Sequence, residues 1–117
     1  MCHKIKILSK TKNGELTFCK NCKIFHLEYN NIYLEFTKQE FLKFKSYVNE
    51  LEIAFWEDKY ACTRLRRKIP IPTQQSNLVL MFNKQELTEL KVLLNTEQVN
   101  TIRFLRLVDI DYTLIIN

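Results

Sequence analysis

Residues 31–48, "NIYLEFTKQEFLKFKSYV", decide how this chain folds, because their pattern returns 46 residues later at 77–94 as "NLVLMFNKQELTELKVLL". The two align without a gap. Asn31/Asn77, Leu34/Leu80, Phe36/Phe82, Lys38/Lys84, Gln39/Gln85, Glu40/Glu86 and Lys45/Lys91 are identical, and Phe41/Leu87, Phe44/Leu90 and Val48/Leu94 exchange one apolar side chain for another. Each copy opens on an alternating run, Ile32, Leu34 and Phe36 in the first and Leu78, Leu80 and Phe82 in the second. Period-two alternation of this length predicts a strand. Val79 and Met81 make the second run apolar on its other side too, which predicts a more central strand or one covered on both faces.

Both copies then switch from strand to helix by the same device. Thr37 and Asn83 are N-caps whose side-chain oxygens can accept from first-turn amides. Glu40 and Glu86 stand three residues later and complete a capping-box spacing, and Phe36/Phe41 and Phe82/Leu87 occupy the two positions of a hydrophobic staple. In the first helix the expected apolar stripe is Phe41, Phe44, Tyr47, Val48, Leu51 and Phe55; in the second it is Leu87, Leu90, Leu93 and Leu94. Lysines and glutamates are expected on the opposite faces.

Working outward, "KIFHLEY" (23–29) alternates and meets the first copy through Asn30-Asn31, residue types that tolerate a tight hairpin. "KIPIPT" (68–73) precedes the second copy. It puts Ile69 and Ile71 on one face, and Pro70 and Pro72, which cannot donate ladder bonds, make it an edge strand. "GELTF" (14–18) adds a further strand. The tail, "VNTIRFLRLVDIDYTLIIN" (99–117), fits a short helix at its start and a strand at "YTLII". The fold class that follows is α+β: an antiparallel sheet of four to five strands with two helices on one face, built from two pseudo-symmetric ββα units. The chain reads as one domain. Residues 1–56 hold the Cys-x-x-Cys segment and the first unit, 57–67 a basic linker, and 68–117 the second unit and tail.

With 117 residues, one glycine and two prolines, the chain is long enough to bury a core and consists mostly of regular elements. No run of apolar residues is long enough to span a membrane, and the first residues have no apolar stretch of signal-peptide length, so a cytoplasmic location and no membrane partner are expected. In that compartment thiols stay reduced, which argues against a disulfide framework for Cys2, Cys19, Cys22 and Cys62. The net charge of +5 is carried by residues 1–23 and by "KYACTRLRRK" (59–68), the remainder being acidic. A solvated Lys-rich surface explains this. So does an anionic partner, with Arg64, Arg66, Arg67 and Lys68 as nucleic-acid contacts. Tyr29 and Tyr33 would offer base stacking, but alternation sends them to opposite faces.

The chemistry concentrates in "CKNCKIFH" (19–26). Cys19 and Cys22 have the spacing that gives two corners of a zinc tetrahedron. Cys2 is the third candidate ligand, and His26 or His3 the fourth, with Zn2+ as the implied ion. Two other readings stay open: two half-buried thiols beside a polar histidine, and a redox pair. Against redox, the segment after Cys22 reads as a strand, whereas a helix amino terminus is what lowers a thiol pKa. With one glycine there is no phosphate-binding loop, no nucleophile elbow is present, and no carboxylate pair stands apart, so enzymatic activity is not expected.

The combination "GELTFCKNCKIFHLEYNNIYLEFTKQEFLKF", "RKIPIPT" and "NLVLMFNKQELTELKVLL" resembles a family of short Bacteroidota proteins of unknown function. The resemblance implies a bacterial, intracellular, stand-alone domain with no assigned activity. The functional expectation is a small binding or adaptor domain with a structural zinc knuckle. Its alternatives are a nucleic-acid-associated module and a metal-free homodimer formed through a sheet edge or the tail.

Overall fold

The computed structural model describes residues 5–96 and residue 99. Its elements run β1 (Ile5–Lys10), β2 (Gly14–Cys19), β3 (Ile24–Tyr29), β4 (Ile32–Phe36), α1 (Lys38–Asn49), α2 (Ile53–Lys59), β5 (Ile69–Pro72), β6 (Val79–Phe82) and α3 (Lys84–Leu94). The α+β class holds, but the strands divide into a four-stranded antiparallel sheet, β1-β2-β3-β4, and a separate antiparallel pair, β5-β6. Three helices are present among the described residues, not two. The strand–strand–helix order occurs twice, as β3-β4-α1 and β5-β6-α3.

Both capping boxes form. The side chains of Thr37 and Asn83 accept from the amides of Glu40 and Glu86, whose carboxylates accept from the cap amides in return. Phe36 meets Phe41 edge-on, with ring centroids 6.1 Å apart, as a staple requires. Asn30 takes a φ of 53°, the left-handed turn conformation that asparagine tolerates, and the hairpin it closes sets His26 opposite Glu35 and Leu27 opposite Leu34. In the second unit residues 73–78 make a longer connection, yet Ile69↔Phe82 and Ile71↔Leu80 repeat the pairing Phe25↔Phe36 and Leu27↔Leu34.

The core lies between the inner face of the large sheet and helices α1 and α3. Leu16, Phe25, Leu27 and Tyr29 from the sheet meet Phe41, Val48, Leu87, Leu90, Leu93 and Leu94, all buried. Phe25 stacks on Phe41 with centroids 4.2 Å apart and planes 5° from parallel. The helices also touch each other. Asn49 and Asn95, 46 residues apart like the repeats, exchange side-chain amide hydrogen bonds of 3.0 and 2.7 Å.

Four local expectations are corrected. The apolar stripe from Phe41 to Phe55 does not lie on one helix: α1 stops at Asn49, Glu52 is extended, and Phe55 belongs to α2. The break turns α2 onto β5, so Trp56 and Tyr60 line a pocket with Pro70, Pro72, Val79 and Met81. That pocket accounts for the second apolar face of β6, which among the described residues lies in a two-stranded sheet and not at a sheet centre. The segment 57–67 is not wholly linker, since α2 runs to Lys59. Lys45 is buried on α1, although lysines were expected on the outer face.

Strand β1 is the element with no counterpart in the sequence reading. Its isoleucines, Ile5 and Ile7, are half exposed, and an irregularity in pairing between Ile7 and Ser9 turns Leu8 and Ser9 inward. The Ser9 hydroxyl donates to the Leu93 carbonyl at 2.5 Å, tying the strand to α3. The tail from residue 100 onward, including "YTLII", lies outside the described residues.

Candidate functional site

The Cys-x-x-Cys segment forms the connection between β2, which ends at Cys19, and β3, which begins at Ile24. The Lys23 amide donates to the Cys19 carbonyl at 2.7 Å, closing the turn. The Cys22 amide donates to Cys19 Sγ at 3.3 Å. Lys23 leaves the turn with a φ of 57°. A lysine in the left-handed region marks a backbone held by its surroundings, here by the two amide bonds on either side of the tight turn. Cys19 is fully buried, whereas Cys22 is exposed.

Both sulfurs stand in disulfide linkage, which corrects the expectation of reduced thiols throughout. The tight turn closed by these bonds brings the two cysteines together. Cys62 is a free, exposed thiol. Among the described residues no group of three or more His, Cys, Asp or Glu gathers to hold a metal ion. With their sulfurs linked, Cys19 and Cys22 have no ligating capacity to contribute to such a group.

Cys2 and His3 lie outside the described residues. The strand that follows them begins at Ile5, which pairs with Cys19. The chain therefore enters the sheet at the end that carries the cysteine turn.

His26 sits on the sheet face away from the helices. Alternation along β3 buries Phe25, Leu27 and Tyr29 and leaves Ile24, His26 and Glu28 on the other side. Cys19 pairs with Ile24 and Thr17 with His26, so Cys19 and His26 are diagonal neighbours on this outer face. His26 Nδ1 lies 2.7 Å from the Tyr33 hydroxyl, which donates to Glu35 Oε2 at 2.7 Å. That bond to Glu35, with lesser help from burial and from the charges of Glu35 and Glu28, pushes the Tyr33 phenol up to about 12. His26 Nε2 is buried and has no hydrogen-bond partner.

Sequence reasoning did not find Tyr33 and Glu35 as partners of His26. The signal existed: once Asn30-Asn31 is taken as a two-residue turn, counting outward places Glu35 opposite His26 and Tyr33 on the same face.

The four basic residues sit in unlike surroundings. Arg64 and Arg66 are exposed. Arg67 makes a two-pronged ion pair with Glu86 at 2.7 and 2.8 Å. That pairing draws the Glu86 carboxyl below the usual carboxylate range. Lys68 Nζ donates to the Leu65 carbonyl at 2.5 Å. Tyr29 is buried on the inner face, where its hydroxyl donates to the Glu86 carbonyl at 2.8 Å, so it offers no base-stacking surface.

A further polar cluster escaped the sequence reading altogether. Glu89 on α3 accepts from the Thr11 hydroxyl at 2.5 Å and from the amide and side chain of Asn13 at 2.9 and 3.0 Å. These bonds hold its carboxyl below the usual range and fasten the β1–β2 turn to the helix.

A sequence profile covering residues 1–117 matches the chain. The chain belongs to DUF6686, a family of unknown function. Membership agrees with the resemblance drawn from the sequence to a family without assigned activity. No curated protein and no solved structure matches the chain. No described helix is long and apolar enough to cross a membrane.

Proposed function

We propose that this DUF6686 chain is a small, non-enzymatic binding domain of the bacterial cytoplasm whose amino-terminal strand is locked by a structural zinc knuckle. Cys19 and Cys22, once reduced, supply two thiolates, and Cys2 a third. The observation that carries the reading is the turn itself. The Cys22 amide donates to Cys19 Sγ, so the backbone of the turn is already arranged around that sulfur. Hairpin turns with Cys-x-x-Cys spacing are where closed, tetrahedral zinc sites are built, and such sites contribute folding energy rather than catalysis. Pairing of Ile5 with Cys19 supports Cys2 as a ligand, because only two residues separate it from that pair.

The disulfide is the oxidised alternative of the same pair, so metal content depends on how the protein is handled. The 117-residue chain prepared under reducing conditions is expected to carry one equivalent of zinc by elemental mass spectrometry, and chelation to release the metal and expose thiols to titration. Reduced protein that holds no metal, with all four thiols reactive from the start, overturns the proposal. Engagement of Arg67 by Glu86 and of Lys68 by a carbonyl favours this reading over a nucleic-acid module built on residues 64–68.

A further inference from the structure

We infer that the groove between α2 and the β5–β6 hairpin docks a proline-rich segment of another protein, held in the extended polyproline conformation and flanked by arginine or lysine. This deepens the reading of a binding domain by naming its partner, and it does not depend on the metal.

The groove exists because α1 stops at Asn49 and α2 turns onto β5. Two depressions of about 300 and 350 Å3 adjoin there, and Tyr47 and Trp56 line both. The first is apolar and is completed by Tyr60, Leu65, Pro70, Pro72, Val79 and Met81. The second adds Glu50 and Glu52 beside Leu51 and Phe55. Tyr47, Phe55, Leu65 and Val79 are exposed, so both depressions present large apolar side chains to solvent. Trp56 and Tyr60 stand with ring centroids 5.9 Å apart and planes 18° from parallel. Flat aromatic faces suit the rigid proline ring. A polyproline helix docks in aromatic-lined grooves because it is ordered before it binds and so loses little entropy. It turns once in three residues, about 9 Å, so successive turns can occupy adjoining depressions.

Charge selects the flank. Glu50 and Glu52 line the second depression, and Glu57 and Asp58 continue the acidic run along α2. Lys59 is the one basic residue of 50–60, and its Nζ lies 5.1 Å from the centre of the Trp56 ring and 5.8 Å from that of Tyr60. At the other end the chain is basic, with Arg64 and Arg66 exposed on either side of Leu65 in sequence. The potential therefore runs from negative at Glu50 and Glu52 to positive near Leu65, and it attracts a peptide with one basic end in one orientation. The ligand does not come from this chain. Its prolines are Pro70 and Pro72, both within β5, so neither its own tail nor that of a second copy has one to insert.

The test uses the 117-residue chain with Trp56, its single tryptophan, as the fluorescent reporter. The probe is a synthetic oligoproline with arginines at one end, made in both orientations. Its controls are the same peptides with glutamates in place of the arginines, and a glycine–serine peptide that keeps the arginines. Wild type is expected to show a saturable change in Trp56 emission with the arginine oligoproline, to prefer one orientation, and to bind both controls at least about tenfold more weakly. Glu50→Lys with Glu52→Lys, at two exposed positions, is expected to weaken the arginine oligoproline by about tenfold or more and to strengthen the glutamate one. Tyr60→Ala is expected to weaken both oligoprolines while leaving the preference for arginine in place, with urea midpoints checking that it folds. Trp56 emission that does not respond, or responds equally to the glycine–serine peptide, overturns the inference. So does a charge-reversed pair of unchanged affinity. A wild-type dimer whose dissociation on dilution changes Trp56 emission overturns it too, because it gives the groove to a second copy. Zinc is measured on the same samples. A zinc-loaded chain that binds no peptide sinks this inference alone, and a reduced, zinc-free chain that binds peptide sinks the zinc knuckle alone.

Discussion

Gly14 is the one glycine in the chain, and replacing it with alanine should cost more than its single methyl group suggests. A Cβ at this position would come within 2.7 Å of the Glu28 carbonyl oxygen, 2.8 Å of Leu93 Cδ1 and 2.9 Å of Tyr29 Cδ1. None of the three can yield freely. The carbonyl is backbone of β3, Leu93 is fully buried on α3, and the Tyr29 ring is held at its far end by the bond to the Glu86 carbonyl. Overpacking of this kind costs about 1–3 kcal/mol, against which alanine recovers about 0.4–1 kcal/mol by stiffening the unfolded chain. A net loss of about 1–2 kcal/mol remains, which in a domain near 100 residues lowers Tm by about 4–8 °C per kcal/mol. Urea unfolding at neutral pH should show a lower midpoint with an unchanged m-value, because the folded surface hardly alters. A second variant sharpens the test. Gly14→Ala combined with Leu93→Ala should be less destabilised than the sum of the two single changes, since the shortened side chain vacates one of the three collisions. A Gly14→Ala protein as stable as wild type, or strict additivity with Leu93→Ala, would refute the claim that α3 and β2 meet too closely here for any side chain.

Glu89 gives a pH-dependent prediction. Its carboxyl is held low in the folded state, so its contribution is present above the unfolded carboxylate pKa and is lost as pH falls through the lower folded value. Urea midpoints of wild type should therefore decline on acidification more steeply than those of Glu89→Gln; parallel curves would show that Thr11 and Asn13 do not depend on the charge. The Asn49–Asn95 amide pair should show coupling of about 0.5 kcal/mol or more in a double-mutant cycle with alanine, as residues that bond each other do, and additive behaviour would mean the reciprocal bonds are replaced by water without loss. Arg67→Ala should leave any low-salt attraction to nucleic acid nearly unchanged, because its charge already faces Glu86. A large loss of salt-sensitive binding in a filter or fluorescence assay would return Arg67 to the nucleic-acid reading.

What could be read from the chain alone was whatever is written within a few residues. The alternation of Ile32, Leu34 and Phe36, the caps Thr37 and Asn83 with their glutamates three residues on, and the asparagine turn after Tyr29 are local signals, and each produced the element it announced. The prolines of β5 likewise left it with one neighbour among the described residues. Other features depended on groups far apart in sequence. Helical periodicity ran straight through Glu50–Glu52, whereas in the fold the helix stops there and α2 lies against β5. In β1 the isoleucines point outward, because the irregularity before Ser9 lets Leu8 and Ser9 turn inward, with Ser9 reaching α3. The residue types of "CKNCKIFH" were legible in the chain, and hairpin pairing decided which of them share a face. Local free-energy preferences act over one turn or one strand and leave a legible pattern, whereas burial and hydrogen-bond satisfaction between remote segments are settled only when the chain packs.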